Sequence, residues 1–151
     1  GERPLIIQSD LSEKIQTETR TKSQSSPLAG LLDRRVSNTM NLDGTMLVDQ
    51  SIILRSDGTF VLYTHSRDAN DESDAAFEQK TYADGNWELL RADGKSASVK
   101  IFGKWTDVAK LADYYKGVST ESMTRIFSDV LTIEKNKLSG TKMLGTFYIK
   151  P

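Results

Sequence analysis

The chain has no cysteine among its 151 residues. Disulfides, thiolate metal centres and thiol nucleophiles are therefore excluded together. Histidine occurs once, at position 65. A multi-histidine metal site cannot form, and a Ser-His-Asp arrangement around His65 has no nucleophile elbow to support it. His65 reads as a solvated residue at a strand end. A field of one sign is missing as well: 20 Lys and Arg face 21 Asp and Glu, for a net charge of −1. Nothing global attracts nucleic acid or an anionic membrane. No apolar run approaches the roughly 18 residues of a membrane-spanning helix. Leu5-Ile6-Ile7 is too short for the apolar stretch of a signal peptide, so any export signal is expected upstream of Glu2. Phosphate loops, dinucleotide fingerprints and paired catalytic carboxylates are absent too. With every usual catalytic constellation missing, the sequence points away from an enzyme and calls for no cofactor and no metal.

What is present is a rhythm. Apolar residues make up 37% of the chain, enough for one core, and its length suits one domain. Four Asp-Gly pairs punctuate it: Asp43-Gly44, Asp57-Gly58, Asp84-Gly85 and Asp93-Gly94. Such pairs suit tight turns whose central residues need positive φ, and between alternating apolar residues they signal hairpins. Leu28 to Arg35 reads as a first strand. Gln50 to Arg55 and Thr59 to Thr64 form the clearest hairpin, with Ile52, Leu54, Phe60 and Leu62 on one face and Ser51, Arg55 and Tyr63 on the other. His65 to Asp74 reads as an acidic loop. Its Asp68, Asn70, Asp71, Glu72 and Asp74 fail the calcium-loop test, because Ser73 and Gln79 stand where glycine and glutamate are needed. Phe77 to Tyr82, Asn86 to Leu90 and Ser96 to Phe102 follow as strands, with Trp87, Leu89, Val99 and Ile101 on one face.

The period then changes. Thr106 has the chemistry of a helix cap, Val108, Leu111, Ala112 and Tyr115 fall on one helical side, and Gly117 stands where a helix would stop. A helical insertion is expected near residues 104–127, with Tyr115 packed on the sheet. Alternation resumes at Val130 to Glu134. A turn near Asn136 leads to Leu138, and Gly145 to Lys150 closes the chain with Phe147 and Ile149 facing in and Tyr148 and Lys150 facing out. Residues 1–27 are polar, rich in Ser, Thr and Gln, and are expected to form an arm or tether. Residues 28–151 form the domain. Seven to nine sequential short strands predict a mainly β fold: one antiparallel up-and-down β-barrel, an architecture that removes exposed sheet edges.

The order of these features resembles the lipocalin-like barrels of the calycin group, in particular the small domains of bacterial envelope proteins. The resemblance rests on Leu28-Ala29-Gly30, on Ile53 through Phe60, on Gly85-Asn86-Trp87 and on Leu144-Gly145-Thr146-Phe147, and it spans about residues 28–150. In lipocalins a Gly-x-Trp motif opens the first strand; here it lies mid-chain. The resemblance implies a barrel, a pocket and a periplasmic, envelope-anchored or secreted location, with the arm as a lipid tether; composition alone is equally compatible with the cytoplasm. A small hydrophobic ligand in the barrel mouth would meet Phe60, Leu62, Trp87, Leu89, Phe147 and Ile149. The alternative is a protein-interaction or assembly module with a packed core, acting through its surface loops. Tyr114-Tyr115 beside Lys110 and Lys116 could suggest nucleic-acid stacking, but Asp107 and Asp113 cancel the charge.

Overall fold

A computed structural model describes residues 26–71, 76–113, 115, 117–142 and 146–149. The polar arm therefore lies outside the described residues, apart from Ser26 and Pro27. Eight strands follow in order: β1 (Arg35–Leu42), β2 (Met46–Leu54), β3 (Thr59–Asp68), β4 (Glu78–Ala92), β5 (Ser96–Asp113), β6 (Gly117–Glu134), β7 (Lys137–Gly140) and β8 (Thr146–Tyr148). Each pairs antiparallel with its sequence neighbour, giving one eight-stranded up-and-down sheet.

Alternation builds the core. In β2, Val48, Gln50, Ile52 and Leu54 are buried, with half-buried residues between them. Register carries that parity across the sheet, matching Leu54 to Phe60 and Ile52 to Leu62. On the same inner face Val99, Ile101, Leu131, Ile133, Leu138 and Phe147 are at most 1% exposed. Each such side chain contributes about 1.5–3 kcal/mol by leaving water.

Three of the four Asp-Gly pairs are turns, two of them with the anticipated positive φ. Asp43 and Gly44 both have positive φ (54° and 71°) between β1 and β2. Gly58 closes the β2–β3 turn by donating to the Arg55 carbonyl at 3.0 Å. Asp93 caps the β4–β5 turn, its Oδ1 accepting from the amides of Lys95 and Ser96. The fourth pair is different. Asp84-Gly85 lies inside β4, and Gly85 pairs with Gly103 of β5. A Cβ on Gly85 would stand 2.1 Å from the Phe102 carbonyl oxygen, and one on Gly103 would stand 1.9 Å from that of Asp84. Glycine here permits the close approach of two backbones rather than a turn.

The expected first strand at 28–35 is replaced by turns over 26–33, and β1 begins at Arg35. Leu28 and Leu31 explain this. Both are buried, at 0% and 1% exposure, and three residues apart they share a side only in a turned backbone, whereas a strand would send them to opposite faces. The Leu32 amide donates to the Leu28 carbonyl, and Asp33 returns to the Leu54 carbonyl at 2.8 Å. The expected loop from His65 also gives way, since β3 continues to Asp68 by pairing with both β2 and β4.

The helical insertion expected near 104–127 is a correction of larger consequence. Residues 96–113 and 117–134 form a long hairpin, paired residue for residue from Ser96–Glu134 to Asp113–Gly117. The apolar spacing of Val108, Leu111 and Tyr115 is helical by coincidence. β-branched Thr106, Val108, Thr120 and Thr124 suit a pleated surface, and the Thr106 and Thr124 hydroxyls meet across the strands at 2.9 Å. Tyr115 sits at the hairpin tip, 91% exposed, instead of packing on the sheet.

The sheet curls until β1 approaches β8. Among the described residues no backbone ladder joins them, so the expected barrel is not closed. Strands β7 and β8 have four and three residues against eight in β1. A side chain bridges the seam instead, the Asn38 Nδ2 donating to the Thr146 carbonyl at 2.9 Å.

Candidate functional site

Polar residues continue the inward parity of the core strands toward the β5–β6 hairpin tip. Register aligns Asn38, Gln50, Thr64, Thr81 and Asp107 in one row across five strands. One row nearer the core come Ile52, Leu62, Ala83, Trp105 and Arg125, and one row farther out Val48, Ser66 and Gln79. These rows border an open cavity of about 570 Å³, lined by Gln50, Leu62, Thr64, Ser66, Gln79, Thr81, Trp105, Asp107, Arg125, Ile126, Phe127, Ser128 and Lys142. A row of Leu54, Phe60, Gly85, Gly103 and Phe127 forms the floor beneath it.

The wall is built, not merely left over. The Trp105 indole donates through Nε1 to Asp107 Oδ1 at 2.8 Å, and the Thr81 hydroxyl donates to the same oxygen at 2.6 Å. The ring lies 4.7 Å from that of Phe127, and the Arg125 guanidinium stands 5.2 Å from its centre. Asp107 thus fixes the indole, and the indole places the cation. Gln50 is only 6% exposed. Its Oε1 and the neighbouring Asn38 Oδ1 are buried and accept no hydrogen bond among the described residues. A buried acceptor without a partner costs about 1–3 kcal/mol.

Lys142 is held by Asp129 of β6. Burial would raise the carboxyl pKa of Asp129, but hydrogen bonds from the Thr141 hydroxyl and from the Lys142, Thr141 and Val130 amides outweigh it and hold the pKa below the ordinary range. On the outer face Arg67 pairs with Asp49 at 2.6 Å and His65 lies 3.3 Å from Glu78. Their bonds keep the Asp49 and Glu78 pKa values low. His65 is thus inside β3 and not at a strand end. Among the described residues no cluster of His, Asp and Glu could hold a metal ion. Glu72 and Asp74 of the acidic stretch lie outside the described residues; Asp68 caps its start, accepting from the Asn70 amide at 2.8 Å.

Of the six residues expected to meet a ligand, Leu62 lines the cavity. Phe60 is in its floor, and Phe147 is fully buried in the core beyond. Leu89, Ile149 and Trp87 pack against that core from its edge. The Trp87 Nε1 donates to the Arg55 carbonyl at 2.7 Å, clamping the β2–β3 turn. Gln50, Thr64, Ser66, Thr81, Asp107 and Arg125 belong to no sequence motif. Their signal is parity: Gln50 alternates with Ile52 and Leu54, Thr64 with Leu62 and Phe60, and Trp105 with Ile101.

No helix among the described residues is long and apolar enough to cross a membrane. The chain matches no family model, no curated protein and no solved structure.

Proposed function

We propose that this protein is a non-enzymatic small-molecule-binding module whose ligand occupies the cavity above the Phe60–Phe127 floor. The observation that carries the reading is Gln50, a nine-tenths buried amide with an unpartnered acceptor at the wall of a ligand-sized space. Core positions are ordinarily filled by apolar side chains, and this one carries a cost that a ligand donor would relieve. The cavity also selects polarity. A hydrocarbon returns about 0.8 kcal/mol per buried methylene. Leaving Gln50, Thr64, Ser66 and Gln79 dry would cost about 1–3 kcal/mol each. A polar ligand therefore fits this wall better than the apolar ligand expected from the lipocalin-like resemblance. Kinship with such domains, and an envelope or secreted location, belong to the same proposal and rest on the motifs of residues 28–150.

The test is a thermal-shift screen of water-soluble metabolites alongside a fluorescent fatty-acid probe, on the wild type and on Gln50→Met. The substitution removes the orphan acceptor at similar volume, so the variant should melt at or above the wild-type temperature. A molecule that stabilises the wild type saturably and the variant weakly supports the reading; a screen with no saturable hit rejects it. A protein-interaction role draws on a separate observation: β6 leaves Val118, Met123 and Ile126 exposed, at 51%, 69% and 92%.

A further inference from the structure

The charge inventory of the cavity goes one step beyond small-molecule binding and rests on that reading. Arg125 and Lys142 both line it, against a single carboxylate, Asp107. That carboxylate is already engaged, one oxygen holding both Thr81 and the Trp105 indole. Neither Arg125 nor Lys142 forms an ion pair with a carboxylate among the described residues, whereas Arg67, Lys80 and Lys137 do. Arg125 is held over the Trp105 ring, so its guanidinium is positioned without being neutralised. The same cavity is lined by neutral polar residues that include Gln50, whose Oε1 calls for a donor. An oxyanion at one end and hydroxyl groups at the other would satisfy both halves together.

From this juxtaposition we infer that the ligand is a small hydroxylated oxyanion of the sugar-acid or sugar-phosphate kind, its anionic group between Arg125 and Lys142 and a hydroxyl donating to Gln50. A neutral sugar would gain nothing from the two cations, which are exposed and stay solvated without it. A fatty acid would answer them but leave the hydroxyl and amide wall unsatisfied.

Calorimetric titration of the full chain with gluconate, glucuronate and glucose 6-phosphate, against sorbitol, glucose and octanoate, tests the inference. At least one hydroxylated anion should bind ten-fold or more tighter than its neutral counterpart and than octanoate, and the carboxylates against the phosphate will tell which oxyanion is preferred. Arg125→Gln and Lys142→Gln should each weaken that anion at least five-fold at an unchanged melting temperature. Arg125→Lys, which keeps the charge, should recover part of the loss. Equal binding of neutral and anionic sugars, or of octanoate, would overturn the inference while leaving a binding module in place. So would a thermal-shift hit of another chemistry with none of these six binding. If neither the screen nor the titrations give saturable binding, both readings fall.

Discussion

Gly85 and Gly103 face one another where β4 and β5 come closest, and neither has room for a methyl group. The atoms a Cβ would meet are backbone carbonyls in the middle of paired strands, which cannot rotate away as a side-chain end can. Gly103→Ala should therefore cost about 3 kcal/mol or more, at the upper end for overpacking. At about 2–4 °C per kcal/mol for a chain of this size, the melting temperature should fall by roughly 6–12 °C in a calorimetric scan. Gly94→Ala, where a Cβ meets nothing within 4 Å, is the control and should stay within about 2 °C. A shift for Gly103→Ala as small as the control's would show that the two strands can part at no cost. These two glycines also mark what a sequence hides. Asp84-Gly85 and Asp57-Gly58 are the same dipeptide, and only the partner strand reveals that the first is an approach and the second a turn.

At the scale of the element, the β5–β6 hairpin departs most from the sequence reading. Where apolar alternation was unbroken the strands were legible: β2 and β3 around Asp57-Gly58, the stretch 96–102 of β5, and 130–134 of β6. Strand β1, Arg-Val-Ser-Asn-Thr-Met-Asn-Leu, was not legible, because its inward positions include Asn38 and its pattern is nearly polar throughout. The hairpin at 104–127 was hidden because its inner row turns from Val99 and Ile101 to Trp105 and Asp107, so the polar site itself erased the alternation. The candidate site was for the same reason nearly invisible: it consists of polar residues at core parity, and only strand pairing reveals that parity. Amide exchange separates a hairpin from a helix. Strand β5 is bonded on both sides over Ala97–Lys110, whereas residues 117–130 of β6 are bonded only to β5 among the described residues. Amides of β5 should thus exchange at the slowest, globally limited rates, and alternate amides of β6 from 118 to 128 rapidly. Continuous protection of 106–115 with fast exchange in 96–102 would instead fit a helix.

For the whole molecule the acid limb of stability is set by carboxylates. Asp33, Asp49, Asp57, Glu78, Asp93 and Asp129 all have pKa values below their ordinary ones, in most cases because hydrogen bonds favour the charged form. A depressed folded-state pKa means that the unfolded chain binds more protons, so stability rises with pH across that window. The contribution is complete above the unfolded carboxylate range near about 4 and is lost as pH falls through the lower folded values. Melting temperature should accordingly be flat from about pH 6 to 8 and decline below about pH 5. In Asp129→Asn the decline should be shallower, because the most buried of these carboxylates no longer titrates, and the plateau lower, because its oxygens no longer accept all four bonds. A decline unchanged in Asp129→Asn would assign the acid limb to the surface groups.

The row of Leu54, Phe60, Gly85, Gly103 and Phe127 separates a largely polar neighbourhood above it from an apolar one below, although Ile52, Leu62 and Ala83 above it join the same core cluster as Leu131 and Ile133. Arg125 above it and Ile133 below it are eight residues apart on β6, roughly 27 Å at a strand's rise, far beyond the reach of energetic coupling between substituted side chains. The lower neighbourhood carries the burden of folding, and the proposed ligand site lies in the upper one. A lineage bearing this fold is therefore free to rewrite Gln50, Thr64, Gln79 or Arg125 for a new ligand without renegotiating the packing of Leu131, Leu138 and Phe147, and drift in the two regions is expected to proceed at separate tempos.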